Sequence, residues 1–349
     1  MKTSASSGLS KPFDALGDAS LAAPFRSCAG GSSCRERPLP VQFAPLQGYT
    51  DAVYREAHAR IFGGIEAYYT PFVRYEKGGF RTKDLKDIDP ANNRGIRVIP
   101  QLIAATAEEF RAIAGQMEAA GYREADLNMG CPFPMQVRMR RGAGLLPYPA
   151  EVEALCQAMA SFPSLSFSVK LRLGWERADE ALALLPRLDV LPLRQITLHP
   201  RLGIQQYKGK TDKEGFARFL AASRHPVFYN GDLISLEDMH RVAASFPSVA
   251  GLMLGRGLLA APWLAWEYGQ GKQMAGSEKR ERLLSFHQLL ADRYASRLEG
   301  GEGQVLDKLK TLWDYLLPAA DKKLRKKVVK STSLSAYHRA VRDLIGSME

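Results

Sequence analysis

The sequence predicts an α/β protein: a (β/α)8 TIM barrel followed by a C-terminal all-helical domain. Three observations predict it. Eight short apolar runs recur between residues 41 and 255, most of them separated by segments of helical period. Polar and charged side chains gather at the carboxyl ends of these runs. Beyond about residue 265 the strand-like runs stop and helical periodicity alone continues. A doubly wound sheet is the runner-up. It usually has fewer parallel strands, and no GxGxxG follows the first run.

Residues 1–38 are rich in Ser, Gly, Ala and Pro and hold no sustained period, so they read as a flexible extension. Cys28 and Cys34 lie there and are not expected in catalysis. The candidate strands then follow in order: VQFA (41–44), EAYY (66–69), VIPQL (98–102), ADLN (125–128), FSVKLR (167–172), QITLH (195–199), PVFYN (226–230) and GLMLG (251–255). Helical patterns lie between most of them, as in 108–121, 149–159 and 235–245. Segments 279–297 and 304–317 read as helices, the second with Leu306, Leu309, Trp313 and Leu316 at helical spacing. A Lys/Arg-rich helical stretch covers 320–345. The expected division is therefore an extension to residue 38, a barrel over 39–265 and a basic helical domain over 266–349.

Composition narrows the function classes. Hydrophobic residues make up 46 % of the 349 and charged residues 24 %, which excludes global disorder, collagen-like repetition and a disulfide-dense scaffold. Four cysteines without CxxC spacing point to a reducing compartment, with the cytoplasm as default. No run of about 18 apolar residues predicts a membrane span. No HExxH or paired Cys/His spacing suggests a metal. The formal net charge of +11 favours a polyanionic partner, against simple solubility charge.

In a barrel, all strand ends open on one face, so Gln101, Asn128, Lys170, Arg172, His199, Arg201, Asn230, Asp232 and Arg256 are expected to converge. NGD (230–232) and GRG (255–257) end the last two strands. Gly231, Gly255 and Gly257 allow close backbone approach to a phosphate, and Arg256 adds a bidentate donor. That phosphate belongs to a cofactor such as FMN or to a sugar-phosphate substrate; two ordinary glycine turns are the plain alternative. Cys131, in NMGCP (128–132), sits in a loop at the barrel mouth and reads as a nucleophile or proton donor, against a merely buried thiol. Cys156 lies in a helical pattern and reads as packing. Lys170 and Arg172 share one side of the fifth strand, where a lysine can neutralise an electron-rich ring or form an internal salt bridge. His199 is a ligand candidate or a satisfied core histidine. Lys322, Lys323, Arg325, Lys326, Lys327 and Lys330 offer phosphate contacts to RNA or form a solvated helix end. Tyr337 is open between base stacking and core packing.

These pieces, in this order, resemble the tRNA-dihydrouridine synthase family. The resemblance rests on APLQGYTDAVYR (44–55), PQL (100–102), DLNMGCPFPMQVRMRRGAGLL (126–146), VKLRLG (169–174), ITLHPRLGIQQYKGKTD (196–212), VFYNGDL (227–233) and LMLGRGLLAAPWL (252–264). It covers roughly residues 40–265 strongly, and the tail only in size and basic character. It implies a flavin-containing barrel that reduces the C5=C6 bond of uridines in tRNA, by hydride transfer from reduced FMN with a cysteine as general acid and NADPH as the recharging reductant. Residue by residue, it implies that Cys131 is the acid. Pro45, Leu46, Gln101, Lys170 and His199 would contact the flavin, and Asn230, Gly231, Asp232, Gly255 and Arg256 would lie at its phosphate end. Asn128, Arg172 and Arg201 would lie near the substrate, with the six basic residues of 322–330 on tRNA. The protein is expected to be a monomer.

Two segments depart from the family pattern. The sixth-strand loop usually reads HGRTRxQxYxGxAD; here Pro200, Leu202 and Gly203 replace the glycine, the threonine and the second arginine. The second strand ends in YYTPF (68–72), where a TEM-like run is common. Both departures lie near the expected site and bear on substrate position. The rival readings are an FMN oxidoreductase of a free pyrimidine or enoate, a dihydrouridine synthase acting on rRNA, and an inactive RNA-binding protein.

Overall fold

The structure is a computed structural model and describes residues 37–348. Most of the expected 1–38 extension, with Cys28 and Cys34, lies outside the described residues.

Eleven strands are present among the described residues: β1 (Val41–Phe43), β2 (Ala67–Tyr69), β3 (Tyr75–Glu76), β4 (Gly79–Phe80), β5 (Val98–Ile99), β6 (Gln101–Leu102), β7 (Glu124–Met129), β8 (Ser166–Gly174), β9 (Gln195–Leu202), β10 (Val227–Asn230) and β11 (Gly251–Leu254). Nine form one parallel sheet in the order β5-β2-β1-β11-β10-β9-β8-β7-β6. The two ends of that order, β5 and β6, are halves of the single run 98–102. Pro100, which has no amide hydrogen, separates them. The sheet thus returns to its own third strand and closes as a barrel of eight strands. Each predicted strand is present, with ends shifted by at most three residues. β3 and β4, not anticipated, form an antiparallel hairpin whose turn holds Lys77 and Gly78 at positive φ.

The helices around the barrel are α1 (Ala52–Ile61), α2 (Thr82–Ile88), α3 (Ala107–Ala119), α4 (Pro134–Arg138), α5 (Pro149–Ala160), α6 (Glu180–Leu188), α7 (Lys213–Ala222), α8 (Leu236–Ser245), α9 (Arg256–Ala260) and α10 (Leu264–Gln270). Several begin on the caps their sequences offer. Thr106 accepts from the Glu109 amide, Asp212 from Gly215 and Ser235 from Asp238. Strand residues alternate between the barrel interior and the layer of helices, where Leu, Ile, Val and Phe form one continuous buried core.

The helical region contains α11 (Gly276–Arg297), α12 (Gly301–Lys310), α13 (Lys322–Lys330) and α14 (Leu334–Gly346). The stretch 320–345, expected as one helical run, is two helices broken after Lys330; Ser333 accepts from the Ala336 amide and starts α14. Tyr337 is fully buried, taking a hydrogen bond from Trp313 Nε1 at 2.8 Å and giving one to Leu309 O at 3.1 Å. It is a core side chain and stacks on no base. The 22-residue α11 lies against α1, with the Tyr54 and Phe286 rings 5.3 Å apart.

Candidate functional site

The carboxyl ends of the barrel strands open into one cavity of about 830 Å³. That is the size of a cofactor or ligand cleft. Pro45, Leu46, Gln101, Asn128, Cys131 and Lys170 line it, as do Arg172, His199, Asn230, Gly231, Asp232, Gly255 and Arg256. Side chains separated by more than 200 residues are brought together because parallel strands all exit on the same face. Arg201 and the basic residues of α13 do not line it.

Cys131 follows β7 in a loop that two neighbours hold. The Asn128 Oδ1 accepts from the Gly130 and Cys131 amides at 3.0 and 2.9 Å. Arg172 Nε donates to Gly130 O at 2.8 Å, and its Nη1 donates to Leu202 O and Gln206 O. Asn128 and Arg172 therefore tie the cysteine loop to β8 and the loop after β9. Burial pushes the Cys131 thiol above its usual range, against weaker pulls from the Phe133 backbone, Arg172 and Lys170. The thiol keeps its proton at neutral pH. Gly142, at φ +61, passes close beneath it; a Cβ there would meet Cys131 O at 2.6 Å.

Lys170 projects into the cavity from β8 and has no hydrogen bond or ion pair among the described residues. Burial first, then Arg172, lowers its pKa to about 8, with Asp126 and Cys131 opposing. It remains charged at pH 7. His199 is buried and held well below the normal histidine range, first by burial and then by the surrounding cations. Its Nε2 lies 3.2 Å from Arg201 Nη1. A guanidinium only donates, so Nε2 accepts and the ring proton sits on Nδ1. Arg201 is 2 % exposed and is also clamped to Asp232 at 3.0 Å and Gly209 O at 2.6 Å. It supports the cavity wall from behind.

At the ends of β10 and β11, Asn230 Nδ2 donates to Met253 O at 2.7 Å and joins the two strand ends. Gly231 has φ +133, and a Cβ there would meet His199 Cδ2 at 2.8 Å. Arg256 reaches Asp232 at 3.4 Å. The residues present fit a phosphate-bearing ring cofactor such as a flavin: bare backbone and the half-exposed Arg256 guanidinium could hold a phosphate, and the Lys170 ammonium, without a partner among the described residues, could face an electron-rich ring. Asp232 would repel a phosphate if free, but Arg201 and Arg256 offset its charge.

The departures from the family pattern have local structural counterparts. A Cβ on Gly203 would meet the Trp175 ring at 2.1 Å. The Trp175 indole occupies the space that a side chain at position 203 would need. At the second strand's end, Thr70 Oγ1 accepts from the Gln101 amide at 3.1 Å, and Phe72 lines the cavity.

Other lining residues were not singled out from the sequence. Tyr207 is 55 % exposed, with the Arg256 and Arg172 guanidiniums 4.8 and 5.4 Å from its ring. Tyr49 and Tyr315 meet edge-on at 5.0 Å, so the helical region supplies part of the mouth. Gln136 is 2 % exposed, and its amide oxygen has no partner among the described residues. Tyr207 stood inside a quoted motif and was legible there; Tyr315, far from the barrel sequence, had no local signal. Among the described residues no cluster of His, Cys, Asp or Glu could hold a metal, and no helix is long and apolar enough to cross a membrane.

The model of the dihydrouridine synthase family matches residues 42–338. A probable tRNA-dihydrouridine synthase of Rhodobacter capsulatus is 29 % identical over 64 % of this chain and 69 % of its own. The tRNA-dihydrouridine(16) synthase of Aquipseudomonas alcaligenes is 29 % identical over 74 % of this chain and 87 % of its own. Among solved structures, morphinone reductase overlaps with a TM-score of 0.47 at 13 % identity, covering 69 % of this chain and 88 % of its own.

Proposed function

The chain belongs to the dihydrouridine synthase family, and from this we propose that it reduces the C5=C6 bond of uridines in tRNA, with FMN in the barrel mouth and NADPH as reductant. We further assign it to the cytoplasm as a monomer, with residues 39–265 as the catalytic barrel and 266–349 as the tRNA-binding domain. The observation that carries the chemistry is the pairing of an unpartnered Lys170 ammonium with a protonated Cys131 thiol in one cavity.

FMN, when bound, supplies hydride transfer. The residues present would do the rest. Lys170 offsets negative charge on the ring, and neutral His199 donates from Nδ1. Arg256, with the bare backbone at Gly231 and Gly255, holds the phosphate. Cys131 gives its proton to uracil C5 as charge develops there. Tyr207 offers an aromatic face at the mouth for a uracil that has left its stack. Lys322, Lys323, Lys326, Lys327 and Lys330 are exposed on α13 and would take backbone phosphates. Arg325 is less free; it donates to the carbonyls of Trp313, Leu316 and Leu317 and anchors the helix.

The test is the visible spectrum of the purified protein, followed through anaerobic NADPH and then an unmodified tRNA transcript. Bands near about 450 nm that bleach with NADPH and return with the transcript are expected. Bands absent even after reconstitution with FMN would overturn the reading. Recovery with a free pyrimidine or enone faster than with RNA would instead favour a small-molecule oxidoreductase. Cys131→Ala is expected to keep its bands and to oxidise NADPH, while reoxidation by RNA falls by roughly 100-fold or more. Reoxidation at the wild-type rate would remove Cys131 as the acid.

A further inference from the structure

Beneath Cys131 runs a chain of hydrogen bonds that starts at a carboxylate inside the barrel. Asp126, on β7, is fully buried. Its Oδ2 accepts from Gln101 Nε2 at 2.7 Å, and its Oδ1 accepts from Ser168 Oγ at 2.6 Å. Gln101 Oε1 in turn accepts from Asn128 Nδ2 at 2.8 Å. Asn128 Oδ1 then accepts from the amides of Gly130 and Cys131.

The chain has a direction, and obligate partners at its two ends set it: the Gly130 and Cys131 amides can only donate, and the Asp126 carboxylate can only accept. Side-chain amides present either an oxygen or an NH2 to a neighbour, but an ionised carboxylate only accepts. Asp126 therefore compels Gln101 to present its NH2 downward and its oxygen upward. Asn128 must then give its NH2 to Gln101 and keep its oxygen for the cysteine loop. With both amides reversed, the Asn128 NH2 would face two backbone N–H groups, and the loop would lose two hydrogen bonds. Burial raises the Asp126 pKa to about 6, against its hydrogen bonds and Lys170, so it is ionised near neutral pH.

We propose that Asp126 is a positioning residue for Cys131, anchoring the far end of the amide relay that holds the cysteine loop in place. This rests on Cys131 as the proton donor, but the relay itself can be read without turnover. The readout is hydrogen exchange of the Gly130 and Cys131 amides in the FMN-loaded protein, with alkylation of Cys131 by iodoacetamide as a second measure. Asp126→Asn removes the obligate acceptor and leaves the loop amides alone to hold the direction, so both rates should rise by roughly fivefold or more. The paired change Asp126→Asn with Gln101→Glu puts the obligate acceptor one step along the relay. The carboxylate then at position 101 again accepts from Asn128, and both rates should return to near wild type. Ser168→Ala removes a donor from the Asp126 carboxylate without freeing the direction, so the loop should exchange as in wild type.

Wild-type rates in Asp126→Asn, or a paired variant that stays fast, would overturn the proposal. So would Ser168→Ala matching Asp126→Asn, because any loss at this carboxylate would then loosen the loop. If Asp126→Asn does not fold, the paired variant and Ser168→Ala decide the matter. Should RNA prove not to be the substrate, the spectrum fails while the exchange pattern stands, so the two failures are distinct.

Discussion

At pH 7 the Lys170 ammonium is charged, largely buried and without a partner among the described residues, and folding a flavin-free chain around it costs free energy. Its pKa falls from 10.5 to about 8 on folding. Between those values the unfolded chain binds more protons, so stability must rise with pH across that window, and the cost is fully present below it. Lys170→Met should therefore stabilise the flavin-free protein at pH 7 by on the order of 2 kcal/mol and flatten this rise. It should also weaken FMN binding. Chemical denaturation of both proteins at pH 7 and pH 10 checks it; equal stability at pH 7 would mean that water or a counter-ion already satisfies the ammonium. Strand alternation is what made the direction of Lys170 into the cavity legible in the sequence. Nothing in it showed that Arg201, expected near the substrate, is used behind the wall, because that depends on the left-handed backbone at Asp232 (φ 50) and on the carbonyl of Gly209.

At the scale of elements, what was legible follows from burial. Parallel strands covered on both faces read as short apolar runs, so all eight barrel strands could be located. The hairpin of β3 and β4 could not, because two-residue strands contain no period. The split between β5 and β6 follows from Pro100, and the break between α13 and α14 follows from the Ser331–Ser333 segment with its cap. Gly203 shows a different limit. As an isolated glycine it reads as a turn, and only Trp175 beside it shows that the space is filled. The exposed face of α13 yields its own prediction. Lys326→Glu with Lys327→Glu should weaken binding of a tRNA transcript by roughly 10-fold or more and reduce its salt dependence, leaving the flavin bands unchanged. Titrations at several salt concentrations test this, and unchanged affinity in all of them would remove α13 from the RNA footprint.

Across the whole molecule, the barrel and the helical region meet around the first strand's loop. Asp51 caps α1 by accepting from the Tyr54 amide at 3.0 Å. It also accepts from Tyr294 of α11 at 3.0 Å and lies 2.9 Å from Lys308 of α12. Tyr49, two residues earlier, donates to Asp314 at 2.8 Å, and Lys308 also reaches Gly48 O at 2.7 Å. The loop that begins the cavity wall at Pro45 is thus held by the region expected to bind RNA. Together with the Tyr54–Phe286 contact, this predicts that the two parts unfold as one cooperative unit. Unfolding should then be a single transition, in which flavin release and the loss of exchange protection in α11–α14 coincide. Asp51→Ala removes a helix cap and two cross-contacts at once and should lower stability by about 2–3 kcal/mol while keeping the transition single. Two separated transitions in the wild-type protein would show that the helical region folds independently, and the Asp51 contacts would then be a docking interface and not a shared core.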